Sequence, residues 1–269
     1  MLKKITLPFL LSIAIVFPAF AQNGTRPADN TDRWNVTIAL GPFMAPEFEG
    51  AKHYRFLPIP YFRASKGNYY IQTEGPGLTA NILNSRHLNF GPSIEYRGER
   101  DDDLTNPAVR NFETVNSSVE FGGFVSYRIA LSQPGEAISI KIKTMFDIDD
   151  AHHGKTVNAS LSYSRLIQRV MRISLSFSST YADQNYNDTY FGVNSINAAR
   201  SGLAEYSAKS GIKDIGGMIT STYSFNQHWG VIALIGYKKL LPRITDSPII
   251  QIEGTSNQFI GNIGLSYRF

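Results

Sequence analysis

Apolar and polar side chains alternate along this chain with a period of two, in runs of ten residues and more, and no other feature restricts its fold as much. Between Glu136 and Asp147, Ile138, Ile140, Ile142, Thr144 and Phe146 fall on one face of an extended chain, with Ser139, Lys141, Lys143, Met145 and Asp147 on the other. The next runs repeat the rhythm. Val157, Ala159, Leu161 and Tyr163 oppose Asn158, Ser160, Ser162 and Ser164, and Met171, Ile173, Leu175 and Phe177 oppose Arg172, Ser174, Ser176 and Ser178.

The same signal predicts twelve strands, near 34–41, 55–64, 68–74, 77–83, 88–97, 117–130, 137–148, 155–167, 170–182, 212–225, 229–240 and 258–269. Pro58 and Pro60 interrupt the second. The third and fourth are short and joined by Gly75-Pro76-Gly77, so one bent strand and a count of ten stay open. Twelve strands make long and short connections alternate, apart from the tight 75–77 turn, and place both ends of the strand array on the short-turn side. That layout is the one used by bacterial outer-membrane barrels. The expected fold class is therefore all-β, a transmembrane antiparallel up-and-down β-barrel occupying 34–269.

The N-terminal segment fits an exported protein. Lys3 and Lys4 precede an apolar run from Leu7 to Phe20, and Ala19-Phe20-Ala21 is a small-x-small cleavage pattern, so residues 1–21 read as a signal peptide cut before Gln22. A polar tail, 22–33, would follow on the periplasmic side. Without the two lysines the formal charge falls from +4 to +2, which argues against a nucleic-acid partner. There is no cysteine, which excludes disulfides and thiol chemistry. Past the signal segment no stretch approaches the roughly 20 apolar residues of a membrane-spanning helix.

Aromatic placement agrees with a membrane boundary. The final strand puts Ile263, Leu265, Tyr267 and Phe269 toward lipid, and Asn262-x-Gly264-x-x-Tyr267-x-Phe269 resembles the C-terminal signal that hands such barrels to the barrel-assembly machinery. Trp34 and Trp229 begin strands on the same rim, where indoles favour the interface. A soluble β-sandwich is the competing fold. Its strands run to about 5 to 6 residues, whereas those here approach the roughly 9 to 11 that cross a bilayer at a tilt. A twelve-stranded barrel can hold a narrow wet channel unless side chains or loops plug it.

One long connection carries internal structure. Ser195 to Ser201, with Ser195 as polar cap and Gly202 as stop, predicts a helical turn or two. Phe191, Gly192, Ser195, Arg200 and Gly202 are thus candidates for a constriction in the mouth, or simply for a surface cover. His152-His153 beside Asp147, Asp149 and Asp150 has the residue types of a metal site, but neighbouring histidines point apart in an extended loop and no metal or other cofactor is expected. No serine or histidine stands out as catalytic, so the chain is expected not to be an enzyme.

Four segments carry a family resemblance: "GPFMAPEFEGAKHYRFLPIPYFR", "TYFGVNSINAARSGLAEYSAKSGIKDIG", "LLPRITDSPIIQIEGTSNQF" and the terminal "YRF". Together they resemble the MipA/OmpV family, named for the MltA-interacting protein, from about Trp34 to Phe269. The resemblance implies an outer-membrane protein acting as a scaffold between a lytic murein transglycosylase and a bifunctional murein synthase. Such partners could touch only the short-turn rim, at 84–87, 132–136 and 226–228, or the tail. The alternative is a narrow pore whose polar face, including Glu95, Arg97, Glu120, Arg128, Lys141, Lys143 and Arg172, filters small solutes.

Overall fold

The computed structural model describes residues 33–269. The signal segment with Ala19, Ala21 and Gln22, and the tail up to residue 32, lie outside the described residues. Twelve strands form where alternation predicts them: β1 Asn35–Pro46, β2 Tyr54–Lys66, β3 Tyr69–Glu74, β4 Gly77–Asn81, β5 Leu88–Arg97, β6 Ser118–Ala130, β7 Ala137–Asp147, β8 Lys155–Ile167, β9 Met171–Ala182, β10 Gly211–Ser224, β11 Trp229–Leu240 and β12 Asn257–Arg268. Each pairs antiparallel with its neighbour in sequence, and β1 closes on β12, so the sheet has no free edge.

The doubtful region resolves into separate strands. β3 and β4 form a hairpin across Gly75 and Pro76, with Glu74 opposite Gly77. The prolines at 58 and 60 sit inside β2, where Pro58 lies opposite Pro42 and Pro60 opposite Leu40. β2 also runs two residues past its expected end, to Lys66, and β1 five, to Pro46.

The faces separate as alternation requires. Leu40, Ile94, Ile142, Phe177, Ile235 and Ile263 all point outward and are exposed, forming part of an apolar band around the wall. So large an exposed apolar surface has no stable place in water; it suits hydrocarbon. On the inner face Glu95, Glu120, Lys141, Lys143, Asn158 and Ser176 are buried.

The seam between the two terminal strands depends on a glycine. A Cβ on Gly41 would lie 1.9 Å from the Ile263 carbonyl oxygen, so only hydrogen lets β1 approach β12 there. Asn262 Nδ2 donates to the Pro42 carbonyl at 2.9 Å across the same seam. At the short-turn end Tyr267 packs edge-on against Trp229 and Phe269, each at 4.9 Å between ring centroids, while Trp34 stands exposed just before β1.

Candidate functional site

The long connections fold inward over one end of the barrel. Segment 183–210 contains two helices, α1 Gln184–Phe191 and α2 Ser195–Ser201; segment 241–256 contains two short ones, α3 Pro242–Thr245 and α4 Pro248–Gln251. Their apolar residues meet in one buried cluster with Phe48, Val109 and Phe112 from two other connections, and it includes Tyr186, Phe191, Ile244 and Ile249. Fully burying a side chain such as Phe191 stabilises by roughly 1.5–3 kcal/mol. Ser247 Oγ donates to the Phe191 carbonyl at 2.6 Å, tying the two helical connections together. The result is an apolar lid.

Beneath the lid runs a belt of buried charge. On β10, Lys213 bonds Glu49, from the connection after β1, and Asp214 at 2.7 Å. Tyr186 on α1 donates its hydroxyl proton to Glu49 Oε2 at 3.0 Å and accepts from Arg97 Nη1 of β5 at 2.8 Å. Arg97 Nε bonds Glu120 of β6 at 2.6 Å, and His152 Nε2 donates to the same carboxylate oxygen at 3.0 Å. The Gly154 N–H donates to His152 Nδ1, which places the imidazole proton on Nε2. In ring order β10 and β5 stand nearly opposite one another, so this chain of hydrogen bonds crosses the lumen almost along a diameter.

Charges in the belt are mutually compensated. Burial works to raise the Glu49 carboxyl, but Lys213 and Lys238 outweigh it and hold the group below the ordinary carboxylate range. Burial pushes the Tyr186 phenol well above its usual range, more than Arg97 lowers it, so the hydroxyl remains a proton donor. Just below, Lys141 bonds Glu74 at 2.6 Å, and Lys143 bonds Glu95 and reaches Glu74 at 3.2 Å. The Lys141 pair spans from β7 to β3, past the three strands between them.

Outside the lid a cleft of about 810 Å³ opens between α1, α2 and the connection after β5. Arg100, Glu113, His153, Asp188, Asn194 and Tyr206 line it. Burial lowers the Arg100 guanidinium to about 10, and it donates to the Tyr190 and Thr189 carbonyls at 2.9 and 3.3 Å.

The described chain is matched over residues 38–269 by the family model for MltA-interacting protein MipA. It belongs to that family. A curated relative, outer membrane protein YiaT of Escherichia coli O157:H7, is 30% identical over 214 residues, covering 78% of this chain and 81% of its own. Omp26La, an outer membrane protein of Vibrio anguillarum, is 22% identical over 194 residues, covering 72% and 68% respectively. Among solved structures, the COG4313 outer membrane channel from Pseudomonas putida F1 superposes over 91% of this chain and 99% of its own, with 9% identity and a TM-score of 0.43. The protein is an outer-membrane β-barrel.

Several expectations for this MipA-family barrel need correction at the mouth. The cap of α2 is Asn194, whose side chain accepts from the Asn197 N–H, and Ser195 is already helical. Gly202 does end the helix, in the left-handed region at φ 77°. Ser195 and Arg200 are exposed on the outer side, Gly192 ends α1 beside the cleft, and Phe191 lies in the lid. The element that reaches the belt is α1, which sequence reasoning took for a loop because Asn, Asp, Thr and Tyr are weak helix formers; the Asp183 cap and the burial of Tyr186 and Phe191 hold it. The two adjacent histidines diverge, His152 into the belt and His153 outward. Glu49, Tyr186, Lys213 and Asp214 are the belt residues that sequence reasoning missed. Glu49, Lys213 and Asp214 lie within the segments that carried the family resemblance and Tyr186 three residues before one of them, but alternation does not extend into Glu49 and Tyr186.

Proposed function

We propose that this barrel is a non-catalytic, non-conducting outer-membrane anchor that docks murein-processing enzymes on its periplasmic, short-turn rim. The observation that carries the reading is the belt: a diametric chain of paired side chains under an apolar lid leaves the wall as a support and not as a passage. The family's description as an MltA-interacting protein supplies the partner class, a murein hydrolase, with a murein synthase as the second enzyme held alongside. Stable docking generally covers about 800 Å² on each partner, more than one of the short turns offers, so the partner would engage several turns of the rim at once.

The test pairs capture with conductance. Mature protein immobilised in detergent is expected to retain a lytic murein transglycosylase from an envelope extract, and the same preparation is expected to remain silent in a planar bilayer. Steady open-channel currents together with no retained hydrolase would overturn the reading in favour of a pore.

A further inference from the structure

Below the belt the lumen changes character. Arg63 on β2, Arg128 on β6 and Arg172 on β9 enter it near the short-turn ends of their strands, and all three are buried, at 8%, 8% and 6% exposure. In ring order these strands are separated by three, two and four others, so the side chains converge from three parts of the wall. They are near enough for Arg128 and Arg63 to repel Arg172.

Among the described residues no carboxylate answers them. Arg63 bonds Gln72 and lies over the Tyr70 ring at 4.6 Å, while its buried Nε has no partner. Arg172 donates only to the Gly135 carbonyl, at 3.3 Å. The Arg128 guanidinium meets no acceptor among the described residues. The lumen carboxylate nearest in register, Glu74, sits two residues beyond Gln72 and is already held by Lys141 and Lys143. Higher in the same lumen Arg97, Lys141, Lys143 and Lys213 are each matched with an acid; here three arginines have none among the described residues. Uncompensated buried charge is costly, and guanidinium forks match the geometry of carboxylate and phosphate oxygens.

We propose that the periplasmic half of the lumen is a binding site for a compact polyanion, a multiply charged phosphate or polycarboxylate, gripped by Arg63, Arg128 and Arg172. A bound anion would remove the mutual repulsion of the three guanidiniums and complete their hydrogen bonds. The site does not require an enzyme on the rim, and it is reached from the periplasmic side because the belt and lid cover the other.

The test uses the full mature chain in detergent, titrated calorimetrically with pyrophosphate and, in a second arm, with citrate. Saturable binding of at least one anion is expected, weakening as sodium chloride is raised. Arg128→Gln is expected to weaken it at least tenfold. Since Arg128 has no partner to lose, this variant should keep the wild-type heat-modifiable gel shift. Arg169→Gln, on an exposed turn of the same rim, is expected to bind like wild type. Pyrophosphate binding alone would assign the phosphate class and citrate alone the carboxylate class. No binding of either anion, or equal weakening in both variants, would overturn the proposal.

Discussion

Glu49 illustrates how a buried acid is kept charged. Its carboxylate gathers Lys213, the Tyr186 hydroxyl and the more distant Lys238 at 3.6 Å, and their combined pull exceeds the cost of burial. Because the folded pKa lies below the ordinary value of 4.5, the stabilisation is complete above about pH 4.5 and disappears as the pH falls through the folded value. Glu49→Gln should therefore lower the temperature at which the barrel opens at pH 7. Its deficit relative to wild type should shrink as the pH is taken from 5 toward 3, measured by heat-modifiable gel mobility. Breaking a buried pair from one side typically costs about 3–5 kcal/mol. A deficit that stays constant over that pH range would show that the carboxylate charge is not what holds Lys213.

At the scale of the element, two pairs of substitutions separate wall, seam and lipid face. Gly41→Ala places a methyl group against the Ile263 backbone and should impair closure of β1 on β12, giving a poorly folded or slowly folding product. Gly217→Ala on β10 meets nothing nearer than 3.8 Å and should fold normally. The contrast can be followed as the fraction of heat-modifiable band after refolding. Leu175 is exposed on the outer face of β9, opposite Ile219 of β10 and Tyr163 of β8, near the middle of the strand. Leu175→Arg should cost about 2–4 kcal/mol if it meets the bilayer midplane, measured by urea unfolding in lipid vesicles. The inward neighbour Ser176, replaced by Ala, should change stability by much less.

Across the whole molecule the wall was readable from sequence, and the inner architecture only in part. Strand faces are local: two residues set the direction of the next, so Lys141, Lys143 and Glu95 could be assigned inward without knowing their partners. The partners are not local. Lys141 finds Glu74 across 67 residues, Arg97 finds Tyr186 across 89 and Lys213 finds Glu49 across 164. Read as a list, the inward charges of both signs suggested an unselective filter. Placed in space, they sort into compensated pairs under the lid and three arginines below that meet no acid among the described residues. The lid escaped prediction for a related reason, since its stability comes from contacts among four connections and not from helix propensity.

The first and last staves of the wall are joined directly, Thr37 opposite Arg268. A cylinder fastened that way has no durable half-built form, because until β12 arrives both margins stay adhesive toward any other strand they meet. A polypeptide cut short before the final strand is therefore expected to keep two sticky margins and to end as material for proteolysis.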